Sequence, residues 1–151
     1  MVKPDSKYDF MILHFSDYKD IDSFPVLEGI DNITDIAYND DVVVFNYSDV
    51  RRRIHEQFII STGFVPDNIP KKYRKYNKYN LSNDLNFDTF FIYLNVINKG
   101  GSGAPVILKK NKKIIGVVIE RIIDAKKYVG VANVLSIQTI NKVLDSYSHH
   151  P

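Results

Sequence analysis

The chain reads Asn98-Lys-Gly-Gly-Ser-Gly-Ala-Pro105 at the point where three glycines surround one hydroxyl, and the apolar run Val106-Ile-Leu108 follows directly. Glycine permits positive φ and close approach to the backbone, so Ser102 is predicted to lie on a tight, projecting turn. A serine nucleophile needs such a turn, with N–H groups directed at the oxyanion that forms on attack. A glycine-rich hairpin loop explains the same residues and stays open at this point.

Outward from this turn, short runs of β-branched and aromatic residues predict strands, because each run is bounded by turn-forming residues. The last segment is helical instead: Ser136 is a suitable N-cap, and Ile137, Ile140, Val143 and Leu144 fall on one helical face. The strands predicted from these patterns are Tyr8–Phe15, Asp40–Tyr47, Phe58–Val65, Phe90–Val96 and Pro105–Leu108.

Length and composition indicate one compact domain. The 151 residues are 44% hydrophobic and 25% charged with a net charge of +2, which points to no particular partner. The sequence has no cysteine, which excludes disulfides, zinc-thiolate sites and a cysteine nucleophile. No apolar run approaches the roughly 20 residues of a membrane span, and the first residues do not form a signal peptide. We therefore expect a cytoplasmic protein with no membrane partner, cofactor or metal.

Five segments resemble one family, the trypsin-like serine peptidases. Residues 100–105 resemble its G-D-S-G-G-P box, and residues 98–105 look still more like the N-P-G-N-S-G-G-P version of the HtrA (Deg) branch. Residues 113–118 resemble the strand after the nucleophile, and residues 128–140 the last strand and terminal helix. Upstream, residues 57–65 are similar to the T-x-T-x-G-x-V strand, and residues 8–13 to the D-I-A-L-L segment that holds the catalytic aspartate.

The resemblance implies an all-β fold, the second six-stranded antiparallel β-barrel of a trypsin-like double barrel, with a C-terminal helix. Residues 1–24 would be a remnant of the first barrel, and residues 25–38 the connection between the barrels. Residues 39–151 would form the second barrel, with a basic insertion at 66–88 and the terminal helix at 136–147. The chain would then be the C-terminal part of a serine endopeptidase.

The resemblance also assigns roles to individual residues. Ser102 would be the nucleophile and Asp9 the acid that orients the catalytic histidine, with the N–H groups of Gly100 and Ser102 forming the oxyanion hole. Gly101 stands where digestive trypsins have aspartate, so activation by N-terminal cleavage is not expected. The box holds no acid that would recognise Lys or Arg, so small apolar side chains are expected at the cleavage site. The predicted substrate-binding residues are Val96, Val118, Ile119 and Gly130.

Histidine departs from the family pattern. The family's general base precedes the aspartate, but only eight residues precede Asp9. His14 lies on the same predicted strand as Asp9, His55 follows an arginine run, and His149 and His150 are terminal. A triad that uses His55 is an alternative. Asp35 is the rival for the acid, but the Asn39-Asp-Asp that follows breaks its strand, so Asp35 is better interpreted as a loop residue. Two hypotheses follow: a portion of an active peptidase whose histidine-bearing barrel lies elsewhere, or a complete, inactive module that binds extended peptides or a partner.

The segment 66–88 combines lysines and arginine with tyrosines at positions 73, 76 and 79. It shows no continuous apolar face, so we expect it to project from the barrel or to be mobile. A solvated insertion is the favoured interpretation, with regulation or contact with an acidic partner as alternatives, and nucleic acid is not the expected ligand. The expected partners are a peptide or protein substrate, the missing N-terminal barrel, or an oligomer partner.

Overall fold

A computed structural model describes residues 27–48, 57–74, 85 and 88–148. A short 3-10 helix, Ile33–Asp35, precedes six strands and two helices. The strands are β1 (Asp41–Ser48), β2 (Gln57–Phe64), β3 (Thr89–Leu94), β4 (Pro105–Leu108), β5 (Ile114–Asp124) and β6 (Lys127–Ser136); the helices are α1 (Lys71–Arg74) and α2 (Ile137–Ser148). The predicted strand Tyr8–Phe15, the predicted remnant 1–24 and Asp9 lie outside the described residues.

The six strands form one closed barrel in the order β1-β2-β3-β6-β5-β4, and β4 pairs with β1 to close it. All neighbouring strands are antiparallel. Side chains alternate between the two faces of the barrel wall. Val42 and Val44 point inward and are fully buried, whereas Val43 and Phe45 point outward and are half-buried. The predicted fold class, a six-stranded antiparallel barrel followed by a helix, is confirmed.

Two glycines allow neighbouring strands of the barrel wall to approach each other closely. A Cβ on Gly63 would overlap the carbonyl oxygen of Tyr93 on β3, and a Cβ on Gly116 would overlap that of Leu135 on β6. Any larger residue at these positions would force the neighbouring strands apart. These glycines therefore mark sites where a neighbouring backbone approaches closely, a common role of glycine inside strands.

The core has two parts. The barrel interior holds one cluster, and Phe91, Ile122 and Val131 form a second cluster with Ile69 and Tyr73. Ile69 and Tyr73 are 2% and 9% exposed, although both belong to the segment expected to project from the barrel. Residues 66–74 instead pack on the barrel wall, and Leu85 of the same segment is buried in the core. Ile69, just before α1, and Tyr73, within it, anchor these residues, since burying such a side chain is worth about 1.5–3 kcal/mol.

Helix α2 begins directly after β6. The Oγ of Ser136 accepts a hydrogen bond from the N–H of Gln138 at 3.3 Å, which confirms the predicted N-cap. Thr139 donates to the Asp88 carboxylate at 3.1 Å and so ties the first turn of α2 to the start of β3. Among the described residues, no helix is both long and apolar enough to cross a membrane.

Residues 27–38, part of the predicted connection, lie against the barrel. Gly29 forms a parallel bridge with Ile114, and the Nζ of Lys113 lies 2.8 Å from a carboxylate oxygen of Asp31. Asp35 accepts from the N–H of Asn32 at 3.3 Å within a capping box of the 3-10 helix. That bond gives Asp35 a structural role, consistent with its interpretation as a loop residue.

Candidate active site

Ser102 lies on the second of two consecutive turns. The N–H of Gly101 donates to the Asn98 carbonyl at 3.1 Å, and the N–H of Ala104 donates to the Gly101 carbonyl at 3.2 Å. The third residue of each turn is glycine with positive φ, 95° at Gly100 and 86° at Gly103, as a type II turn requires. Ser102 occupies the second position of its turn and is exposed. The tight, projecting turn predicted around this hydroxyl is therefore present.

The turn is fixed to β5 by three hydrogen bonds. The N–H of Gly103 donates to the Val118 carbonyl at 2.7 Å, and the N–H of Val118 donates to the Ala104 carbonyl at 2.9 Å. The Ser102 hydroxyl donates to the Ile119 carbonyl at 3.3 Å. The structure thus brings Val118 and Ile119 to Ser102, and their roles in holding a substrate backbone stay predictions.

The N–H groups of Gly100 and Ser102 were predicted to form an oxyanion hole. Within the described part of the chain, neither group has a hydrogen-bond partner. They are therefore not tied up in the ladder of a regular hairpin, which was the competing interpretation of the segment. Their use as oxyanion donors stays a prediction.

Gly101 is buried beneath the turn. A Cβ at this position would lie 2.6 Å from Cγ1 of Ile97, whose side chain is itself 2% exposed. The position that carries aspartate in digestive trypsins therefore has no room here for even one further carbon unless Ile97 moves. The departure of Gly101 from the trypsin pattern has a steric reason in this chain.

A pocket of about 100 Å³ opens beside Ser102, between Ile97, Lys99, Gly100, Val118 and Arg121. Arg121 is half-buried, and its Nη1 donates to the Ile97 carbonyl at 3.3 Å. Arg121 was not among the residues predicted from the sequence. The available signal was a basic residue within the apolar run of β5, but the pattern of the strand could not show which surface its side chain reaches.

Two predicted substrate-binding residues lie elsewhere. Val96 is half-buried just beyond β3, and its N–H donates to the Asn95 Oδ1 at 2.8 Å. Gly130, with φ of 80°, lines a separate groove of about 400 Å³ together with Thr62, Phe64, Tyr93 and Leu94. The structure does not bring Val96 or Gly130 to the pocket beside Ser102.

Tyr128 contacts Leu94, a residue that lines the groove. Its hydroxyl donates to the Leu94 carbonyl at 3.2 Å. Burial raises the pKa of Tyr128 well above its usual value, and the nearby positive charge of Arg121 opposes this shift only in part. Tyr128 therefore stays protonated at neutral pH and acts as a hydrogen-bond donor.

No histidine belongs to the described residues. His14, His55, His149 and His150 all lie outside them, and so does Asp9. The described chain accordingly contains no imidazole that could take the Ser102 proton. The triad assignments for Asp9 and for a histidine stay predictions.

An apolar band covers the outer surface of β1 and β2. Phe58, Ile60 and Phe64 alternate along β2 and are 53%, 56% and 39% exposed. Phe58 stacks on Phe45 with ring centroids 5.7 Å apart, and Phe64 contacts Tyr93 at 5.1 Å. Contiguous exposed apolar residues of this kind are typical of surfaces that contact another protein body.

No protein-family model and no curated protein sequence matches this chain. Among solved structures, it is similar to kallikrein-related peptidase 10, with a TM-score of 0.51 at 14% sequence identity. The match covers 81% of this chain and 57% of that one, so the chain spans little more than half the length of that neighbour. The likeness, together with the closed barrel and the terminal helix, shows that the chain has the fold of a trypsin-like barrel.

Proposed function

We propose that the chain is the C-terminal portion of a trypsin-like serine endopeptidase, closest to the HtrA branch, which cleaves peptide bonds through an acyl-enzyme on Ser102. The observation that carries the proposal is the exposed Ser102 hydroxyl on a type II turn, beside a pocket and next to two N–H groups that have no partner among the described residues. The motif of residues 98–105 supports the HtrA branch. A cytoplasmic location stays a prediction.

In the proposed reaction, the Ser102 Oγ attacks the scissile carbonyl carbon while its proton passes to a histidine imidazole. The resulting oxyanion accepts hydrogen bonds from the N–H groups of Gly100 and Ser102; losing one such donor typically costs about 10²–10³ in rate. The C–N bond then breaks, and the departing amine takes the proton from the imidazolium. Water, activated by the same imidazole, then hydrolyses the ester on Ser102 and releases the carboxylic acid product.

The histidine would come from a barrel upstream or on another polypeptide, with Asp9 orienting it. The fraction of the kallikrein-like neighbour that this chain spans, 57%, supports this part of the proposal. The apolar band on β1 and β2 is a further support, because a second protein domain could cover it.

Complementation tests the proposal. This chain is mixed with a polypeptide that carries the upstream barrel and its histidine, and peptide cleavage is measured together with labelling of Ser102 by a serine-directed phosphonate. We expect cleavage and labelling in the mixture, and loss of both with Ser102→Ala. Ser146→Ala is the matched control, because Ser146 is also exposed and its hydroxyl also donates to a backbone carbonyl, that of Val143 at 2.7 Å.

The alternative is an inactive peptidase-like module that binds extended peptides or a partner. One observation favours it: the Ser102 hydroxyl donates to the Ile119 carbonyl rather than to a base. Association of the two polypeptides without cleavage or labelling would support this alternative and contradict the acyl-enzyme.

A further inference from the structure

The pocket beside Ser102 is basic. The side chains around it include the guanidinium of Arg121 and the exposed lysine Lys99, and none of the described carboxylates lines it. Of the described carboxylates, none forms an ion pair with Arg121. The adjacent Glu120 is exposed. The pocket therefore carries positive charge that the described chain does not neutralise.

Arg121 has unused donors. A guanidinium carries five N–H donors, and only Nη1 of Arg121 has a partner among the described residues, the Ile97 carbonyl. The side chain is half-buried, but none of its unpaired nitrogens is among the buried polar atoms without a partner, so these N–H groups reach solvent and are open to a ligand. A planar fork of N–H groups matches a carboxylate in a bidentate arrangement, which is among the strongest hydrogen-bonded pairs in proteins.

The size of the pocket limits what can enter. The pocket is small, with a volume of about 100 Å³. A short side chain suits this space better than an aromatic ring. A lysine or arginine side chain would meet like charge at Arg121. A small apolar side chain, which the sequence led us to expect, would remove water from the guanidinium without replacing its hydrogen bonds.

We infer that this pocket binds a carboxylate of the peptide, so that the site selects an acidic group next to Ser102. The inference rests on the proposed function, since it names the substrate group that the same site recognises. The carboxylate is supplied either by the side chain of a glutamate or aspartate, or by a free C-terminus. The Arg121 guanidinium pairs with it, and Lys99 at the rim adds longer-range attraction.

Binding is tested on the full chain with acetylated, amidated peptides Ala-Ala-Ala-Xaa, in which Xaa is Glu, Gln, Ala or Lys. A fifth peptide, acetyl-tetraalanine with a free C-terminus, carries its carboxylate on the main chain. Titrations followed by amide chemical shifts give the affinities and report whether Gly100, Ser102 and Val118 respond. We expect the Glu peptide to bind roughly tenfold or more tightly than the Gln peptide. The preference should decrease with salt.

Variants show whether Arg121 is responsible. Arg121→Gln should abolish the preference for Glu over Gln, and Arg121→Lys should retain only part of it because an ammonium lacks the planar fork. Lys127→Gln, at an exposed lysine of the β5–β6 hairpin, is the matched charge control and should leave the preference unchanged. If Arg121→Gln fails to fold, Arg121→Lys and the salt series still show whether Arg121 causes the preference for Glu over Gln.

The outcomes separate the inference from the proposed function. Tighter binding of the Glu peptide identifies a side-chain carboxylate, and tighter binding of the free C-terminus identifies a terminal one; either supports the inference. Equal affinity for the Glu and Gln peptides, with shifts at Ser102, would overturn the carboxylate inference and leave peptide binding intact. Absence of binding by every peptide would overturn the inference and count against peptide binding by this chain, while the complementation assay would still decide the acyl-enzyme.

Discussion

The hydroxyl of Ser102 donates a hydrogen bond to the carbonyl oxygen of Ile119 at 3.3 Å. A serine nucleophile must give its proton to a base as it attacks, and a backbone carbonyl is not such a base. In this conformation the hydroxyl is therefore anchored rather than activated. It must turn away from β5 before it can act.

We predict that the chain alone has no measurable peptidase activity. Without the general base, the rate enhancement over water falls to about 10³–10⁴, which is too small to detect with amide substrates. The measurement compares amide hydrolysis by the chain and by Ser102→Ala, and the two should be indistinguishable. Activity that disappears in Ser102→Ala would show that a base is already present, with His55 the first residue to test.

Gly101→Ala should destabilise the barrel by about 1–3 kcal/mol, because its Cβ would press against Ile97. The cost should fall in an Ile97→Ala background, which removes the opposing carbons. Urea unfolding of the two single variants and the double variant measures this coupling. Gly103→Ala is the control: it meets no atom within 4 Å, so its cost comes from positive φ alone and should not depend on Ile97. Additive effects at positions 97 and 101 would contradict the steric explanation.

The hairpin between β5 and β6 is strained at Ala125 and Lys126, which have φ of 48° and 64°. Two adjacent residues with positive φ form a type I′ turn, for which Asn-Gly is the preferred pair. Replacing both residues by Asn-Gly should stabilise the protein by roughly 1–2 kcal/mol, the cost of the left-handed conformation for ordinary residues. An increase in the urea midpoint of unfolding checks this prediction. Lys127→Gly, within β6, is the control and should lower the midpoint.

The ion pair between Asp31 and Lys113 should make stability depend on acid pH. The hydrogen bond from Lys113 is the main cause that lowers the pKa of Asp31 below its usual value. A lowered folded pKa means that the contribution is present above about pH 4 and is lost as the pH falls through the folded value. The difference in the free energy of unfolding between the unchanged chain and Asp31→Asn should therefore shrink from pH 6 to pH 2.

Urea midpoints across that pH range, at low salt, give the measurement for Asp31. Lys113→Gln should show the same trend as Asp31→Asn, and the double variant should show no further change. A midpoint difference that stays constant with pH would contradict the contribution of the pair.

The sequence predicted those elements whose signal is local. β4 has its predicted bounds, because Pro105 and the glycines before it limit where the strand can start. α2 begins beside Ser136 as predicted, because an N-cap acts on the residues next to it. The turn at Ser102 followed from the glycines that permit positive φ. In each case the deciding residues are neighbours in the chain.

Features that depend on distant contacts were missed. β5 extends to Asp124, well beyond residues 113–118 that resemble the family's strand, because its hairpin turns at Ala125 and Lys126, neither of which is a usual turn residue. The pocket depends on Arg121 reaching Ile97, which lies 24 positions away in the chain. The cluster that holds both Ile69 and Ile122 likewise requires the closed barrel.

The hairpin of β1 and β2 is joined to the rest of the barrel by short ladders on both sides. It contains eight residue pairs, but it meets β3 through two pairs and β4 through three. The N–H of Thr62 is bound at 3.0 Å by the side chain of Asn95, which lengthens the β2–β3 contact slightly. This hairpin should therefore open as one cooperative unit, with its amides exchanging with solvent hydrogen together and sooner than those of β5 and β6.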